Sequence, residues 1–544
     1  MIAAARLRNA RNECQRRSNR YGSKKPSIFL REESGTAVAE ALMILGTASH
    51  VGKSLVAAGL GRIFSDDGIR VAPFKAQNMS LNSAATPDGR EIGRAQALQA
   101  EACRVTPCAE MNPVLIKPTS DTGSQVVLLG RVWGQVTASD YHQRRVEDLF
   151  PAVLASYRSL ASRHDLIVLE GAGSPAEINL RKQDIVNMRM AHAADAACLL
   201  VGDIDRGGVF AALLGTIELL EPEDRARVRG FVINKFRGDE SLLRPGVEMI
   251  EERLGIPCAG VIPFLRKLGL EEEDGVALED RRIPERVWQG SSDKTERALR
   301  IGVVAFPHMA NFTDFDAFAA EPSVSLAFLD HPSHVGLADV LILPGSKQTI
   351  DDLMWLCDRG FDDAIGNWPG TLIGICGGFQ MLGRSIEDPD GVESGGVRRS
   401  MAGLGKLPVR TVMRGEKTVR RATGKPYGAG MPGFRGYEIH MGETHYENGS
   451  EPFSEILREG DEQVTVDGAV AASGQVWGSY VHGLFDDDAF RHSFVDLARE
   501  ASGLAPARSR ACVTAERDAR INRWAGHLRQ SLDMNLIRGL VRGT

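Results

Sequence analysis

Short apolar runs, each followed by a loop or a helical pattern, recur along this chain. They constrain its fold more than any other feature. In the first half such runs fall at 41–46, 71–75, 166–170, 197–202, 230–235 and 258–262. In the second half they fall at 299–306, 340–344 and 371–375. A run with no polar alternation is a strand covered on both faces, which is the habit of parallel sheets. Helical periodicity occupies the intervals at about 53–64, 141–160, 209–220 and 247–254. Strand–helix alternation of this kind predicts two doubly wound α/β domains. In such sheets ligands gather beyond the carboxyl ends of the strands, so the residues at those ends carry the functional argument.

The chain's 544 residues suffice for two to four domains. Residues 1–40 are basic, with Arg6, Arg8, Arg11, Arg16, Arg17, Arg20, Lys24 and Lys25, and show no core pattern. They lack the apolar stretch of a secretory signal and read as a disordered extension or as the result of a start codon assigned too far upstream. Two folded halves follow, at 41–265 and 299–500, joined by a charged, turn-rich connection at 266–298. Residues 501–544 read as a helical C-terminal tail. A net charge of −6 argues against a general nucleic-acid binder. No apolar run approaches the roughly 20 residues that span a bilayer. The eight cysteines form no CxxC pair, which suits free thiols in the cytoplasm. Oligomeric state is left open.

The tip of the first strand is the best defined. Gly46 is followed by Thr47-Ala-Ser-His-Val-Gly52-Lys53-Ser54 and a helix. A glycine-bearing loop between strand and helix turns backbone N–H groups toward phosphates. Lys53 would reach the terminal phosphates, and Ser54 would ligate Mg2+. Glu170, at the tip of another strand, is a candidate for the same metal or for orienting a nucleophile, with a helix-capping or salt-bridged residue as the plainer alternative. Two more tips are rich in polar residues. One carries Gln77, Asn78 and Ser80, a set that suits a large polar substrate and equally a solvated loop. The other carries Asp203, Asp205, Arg206 and a glycine pair, where an Asp–Arg pair closing a turn is nearly as plausible as a substrate contact.

In the second half, Gly374-Ile-Cys376-Gly-Gly-Phe-Gln380 ends a strand and opens a helix. This is the thiol counterpart of the nucleophile elbow. A helix amino end favours the thiolate, the nucleophilic form. A buried core cysteine is the plainer alternative; Cys198, in an unbroken apolar run, fits that description far better. A thiolate nucleophile needs a base, and His482, at the end of a late strand with glycine next, is the candidate. The backbone N–H groups of Gly345 and Ser346, at the turn after 340–344, are placed for an oxyanion hole. His440, Glu443 and His445 could suggest a metal, but nothing else in the sequence completes a ligand set.

The loop at 46–54 resembles the dethiobiotin synthetase-like branch of loop NTPases, in which Thr47 stands where the strict motif has its first glycine. The elbow with its late histidine resembles the class I glutamine amidotransferases. From about 41 to 500 the chain is similar to the cobyric acid synthase family. The similarity is carried by 46–54, 75–83, 202–210, 234–239, 311–316, 343–347 and 437–442 taken in order. It implies ATP and Mg2+ in an amidoligase half and glutamine as nitrogen donor in the other. The substrate is then a corrinoid, adenosylcobyrinic acid a,c-diamide, amidated at its b, d, e and g carboxylates in cobalamin biosynthesis. Neither nucleic acid nor membrane is implied as a partner. Most class I members read His-Pro-Glu where this chain reads His482-Gly483-Leu484, so the group orienting His482 is not legible here. Two other readings compete: the sister a,c-diamide synthase, and a switch ATPase fused to an amidotransferase-like module. The second expects a lysine where the chain has Ala48.

Overall fold

The computed structural model describes residues 39–542, apart from 120–122, 138–140, 142–144, 267, 271–287, 289–296, 367 and 429. All but the last two residues of the basic 1–40 segment, and most of the 266–298 connection, lie outside the described residues.

Six strands form the first sheet: β1 (Glu40–Gly46), β2 (Val71–Phe74), β3 (Leu166–Glu170), β4 (Ala197–Asp203), β5 (Val228–Phe236) and β6 (Cys258–Pro263). They lie in the order β6-β5-β4-β1-β3-β2, all parallel. Six more form the second: β7 (Leu299–Val304), β8 (Val324–Leu329), β9 (Val340–Leu343), β10 (Thr371–Ile375), β11 (Ala469–Val470) and β12 (Val476–Ser479). Their order is β8-β7-β9-β10-β12-β11, and only the edge pair β11–β12 is antiparallel. The central strands are sealed on both faces; Leu42, Ile44, Ile342 and Ile373 expose nothing. This is the burial that the unbroken apolar runs demand.

The helices that matter below are α1 (Lys53–Asp66), α2 (Arg94–Ala102), α3 (Gly377–Leu382), α4 (Asp488–Ala501), α5 (Val513–Ser531) and α6 (Met534–Arg542). The helix expected over 141–160 differs in its first half: a π-helical turn, Arg145–Leu149, precedes an α-helix at Phe150–Ala161. Pro151 sits in the first turn of that α-helix, where a missing N–H costs nothing. The helix expected over 247–254 begins earlier, at Glu240, because the Asp239 carboxylate accepts from Ser241 N–H at 2.9 Å and caps it.

The C-terminal segment is not a free tail. Ile521, Trp524 and Leu528 of α5 recur at helical spacing and are buried against α1 of the first half. Trp524 Nε1–H donates to Leu55 O at 2.6 Å. Gly59 permits the approach, since a Cβ there would stand 2.4 Å from Leu528 Cδ1. The apolar stripe needs a partner, and it finds one more than 450 residues upstream.

Two further elements went unread in the sequence. One is a small mixed sheet of Gln77–Met79, Val114–Pro118, Gly123–Leu128 and Arg131–Thr137, in which the first pair is parallel and the other two are antiparallel. The other is a long hairpin, Val409–Pro426 with Phe434–Tyr446. The hairpin is partly solvated and heavily charged, which masks its strand pattern. The hairpin meets the first half where Arg421 Nε–H donates to Ala85 O at 2.9 Å, and the halves also meet where Asn311 Oδ1 accepts from Ser83 N–H at 2.8 Å. Among the described residues, no helix is long and apolar enough to cross a membrane.

Candidate active site

Cys376 closes β10 with φ 51° and ψ −108°, a conformation that L-residues avoid. Its N–H donates to Ser479 O on the neighbouring strand at 2.8 Å. The turn is so tight that a Cβ on Gly378 would stand 1.9 Å from Leu343 O, and one on Gly374 would stand 2.6 Å from Gly378 O. The glycines are therefore steric requirements of the elbow. The sulfur faces a cavity lined also by His482, Gly345, Ser346, Gln380 and His440. Gly345 pairs with Ala310 in a two-residue antiparallel bridge. The Ser346 nitrogen lies beside Gly377, where a Cβ would approach it to 2.8 Å.

His482 is buried, and the structure supplies the partner that the sequence did not reveal. Its Nδ1 lies 2.6 Å from Asp314 Oδ2, and Asp314 Oδ1 accepts from Gly483 N–H at 3.1 Å. Asp314 is 168 residues upstream of His482, on the 3-10 turn Phe312–Phe315. Burial opposes charging the imidazole, but the Asp314 carboxylate and the Cys376 sulfur outweigh it, and His482 is pushed up to about 10. The ring is therefore an imidazolium at neutral pH, and it lines the cavity that the sulfur faces. A sulfur, an imidazole and an orienting carboxylate form the constellation for nucleophilic attack on an amide. His440 instead bonds Gly442 O and Glu438. Among the described residues no His, Cys, Asp or Glu cluster could hold a metal by itself.

The second cleft lies across the tips of the first sheet, lined by Lys53, Ser54, Lys75, Asn78, Glu170 and Lys235. Lys53 lies over Gly46, where a Cβ would stand 2.9 Å from Nζ, and donates to Ala48 O and Gly173 O. The Thr47 N–H donates to Val201 O at 3.0 Å, so that amide serves the sheet. Gly52 caps α1 in the left-handed region. Glu170 accepts from Ser54 Oγ at 2.7 Å, Lys75 Nζ at 2.9 Å and Gln99 Nε2 at 2.6 Å. Burial works against its ionisation, yet Lys75 and these hydrogen bonds hold it below the usual carboxylate range. Mg2+ on a nucleotide keeps several waters and phosphate oxygens and needs one or two protein oxygens. The converging Ser54 hydroxyl and Glu170 carboxylate fit that demand.

The remaining candidates separate. Asn78 lines the cleft, while Gln77 accepts from Tyr141 OH at 2.6 Å and Ser80 Oγ bonds within its own turn. Asp203 pairs with Lys235 at 2.9 Å, and Asp205 pairs with Arg237 at 2.7 Å rather than with Arg206.

Two family models match this chain. One, a CobQ/CobB/MinD/ParA nucleotide binding domain, spans residues 42–278, and the other, a CobB/CobQ-like glutamine amidotransferase domain, spans 300–490. A cobyric acid synthase of Yersinia enterocolitica is 48% identical over 517 residues, 92% of this chain and 98% of its own. Those of Syntrophobacter fumaroxidans and Klebsiella pneumoniae are 45% and 47% identical, each over 92% of this chain and 99% and 98% of their own. The chain belongs to the cobyric acid synthase family. As a member it is a glutamine-hydrolysing amidoligase of cobalamin biosynthesis, using ATP and acting on a corrinoid. That membership sets aside the switch ATPase.

Several residues of this family member's two centres escaped the sequence reading. Asp314 lay in the 311–316 stretch already singled out, but only the fold brings it to His482. Lys75 and Gln99 bind Glu170 from separate elements. Lys117, of the first half, lines the Cys376 cavity; an internal cation on a short strand carries no sequence signal of that kind.

Proposed function

We propose that the two clefts divide the family's reaction between them, with adenosylcobyrinic acid a,c-diamide amidated at its b, d, e and g carboxylates. In the second half, the Cys376 thiolate attacks the side-chain amide carbon of glutamine. N–H groups near Gly345 and Ser346 receive the developing oxyanion. His482 gives its proton to the departing ammonia, and water then hydrolyses the thioester, releasing glutamate and restoring the thiol. Asp314 holds the imidazole in its productive orientation throughout.

In the first half, backbone N–H groups of the 46–54 loop cradle the phosphates of ATP, with Lys53 reaching the transferring group. Ser54 and Glu170 hold Mg2+, which supplies charge neutralisation on the phosphates. A corrin carboxylate takes the terminal phosphoryl group to give an acyl phosphate and ADP. Ammonia displaces phosphate from it and leaves the amide. Asn78 reaches this cleft, and we assign Gln77, Ser80, Asp203 and Asp205 to the walls that shape the corrinoid site.

The observation that carries this reading is the Cys376–His482–Asp314 constellation. The stretch at 78–83 runs between the clefts: Asn78 lines the nucleotide side, and Ser83 bonds Asn311 and Lys117 beside the glutamine side. We take it as the wall of the ammonia route. The seven described cysteines are all free, which suits work in a reducing cytosol. We expect no nucleic acid or membrane to take part. The test is a mass spectrum of the product formed from the a,c-diamide, ATP and glutamine. Four added amides are expected; a product amidated only at a and c, from the unamidated precursor, would make the chain the sister enzyme.

A further inference from the structure

Lys347 follows the turn after β9 and is 9% exposed. Its ammonium makes no hydrogen bond or ion pair with any described residue, and it lines the same cavity as Cys376 and His482. Burial, and the nearby Lys417 ammonium, push it down to about 8. Lys117 and Lys417 also line that cavity, but Glu91 holds both, at 2.5 Å each. A buried cation without an anion is costly, so Lys347 asks for a negative group that enters from outside.

An anion of the opposite role lines the same space. Glu393 is fixed by Thr349, whose N–H donates to Oε2 at 2.8 Å and whose hydroxyl donates to Oε1 at 3.1 Å. Burial raises its carboxyl, to about 7. Lys347 and Glu393 each feel the other's charge, yet no ion pair joins them. Two opposite charges held apart in one cavity match the head of an α-amino acid.

We propose that Lys347 and Glu393 form the head-group subsite for glutamine. Lys347 takes the α-carboxylate and Glu393 takes the α-ammonium, which leaves the side-chain amide at Cys376. This rests on the reading of Cys376 as the glutamine nucleophile. The subsite acts on glutamine alone, because free ammonia carries neither head group.

The experiment measures synthesis with glutamine and, separately, with ammonium chloride. In Lys347→Met the glutamine KM is expected to rise about tenfold or more, equivalent to about 1.4 kcal/mol of binding, with kcat little changed. Synthesis from ammonium should be retained, and Lys347→Arg should recover part of the loss. Glutaramate, which lacks only the α-amino group, supplies a second readout. Preference for glutamine over glutaramate should collapse in Glu393→Gln and persist in Lys347→Met. An unchanged glutamine KM in Lys347→Met, or equal loss of ammonium-dependent synthesis, overturns the subsite. If the wild-type protein itself fails to hydrolyse glutamine, it is the assignment of Cys376 that falls.

Discussion

The two clefts are built in opposite ways. In the nucleotide cleft the parts that define it are contiguous: Gly46 through Ser54 lie on one strand, one loop and the start of one helix. In the glutamine cleft the parts come from far apart. Cys376 closes β10, His482 follows β12, and Asp314 sits on a turn 168 residues before its partner. A further wall residue, Lys117, comes from the other half of the chain. A phosphate can be held by backbone N–H groups that a single loop presents. An acyl transfer needs a nucleophile, a base and an orienting carboxylate at fixed angles, which no single loop provides. The first kind of centre survives as a local motif; the second depends on the whole sheet holding its register.

The sharpest way to separate the centres is Cys376→Ala. Glutamine-dependent synthesis should fall by about 10⁶-fold, the scale of losing a nucleophile, while synthesis from added ammonium remains. Loss of both would mean that the centres are not independent. Next is Asp314→Asn, expected to lower glutamine hydrolysis by about 10⁴-fold with ammonium-dependent synthesis retained.

The same change has a pH signature. His482 is raised in the folded chain from 6.5 to about 10, so the folded state binds a proton that the unfolded state releases. That stability is fully present below pH 6.5 and is lost as pH rises toward about 10. Urea midpoints measured across that window should fall with pH in the wild type and fall less in Asp314→Asn. Equal slopes would deny the Asp314–His482 coupling.

Lys53→Ala tests the local centre. Both glutamine- and ammonium-dependent synthesis should drop by about 10²–10³-fold, with glutamine hydrolysis measured alone affected least. Retained amidation would contradict the phosphate role. The smallest effect on chemistry is expected from Trp524→Ala. It should lower stability by about 3–5 kcal/mol, read by denaturant unfolding, with nucleotide binding weakening before the Cys376 centre is disturbed. An unchanged midpoint would mean that α5 does not brace α1.

What was legible in the sequence follows this division. The apolar runs fixed the two parallel sheets, because a strand buried on both faces has no room for polar alternation. The loop at 46–54 and the elbow at 374–380 were legible because glycine is required where backbones approach within a Cβ radius. The solvated hairpin Val409–Pro426 with Phe434–Tyr446 was not, since half-exposed charged strands blur the period of two. Nor was the docking of α5: its stripe of Ile521, Trp524 and Leu528 announces a buried face but does not name the helix that covers it.

By itself, then, the sequence determined the layered α/β architecture and marked the candidate phosphate loop, nucleophile and base, since each is written in residues adjacent along the chain or in the plain chemistry of one side chain. Tertiary structure alone decided that Asp314 bonds His482, that Lys75 and Gln99 hold Glu170, and that Lys347 lines the Cys376 cavity with no ion pair to any described residue. Those are relations between side chains separated by tens to hundreds of residues, and only packing brings such charges within the few ångströms at which they act on one another.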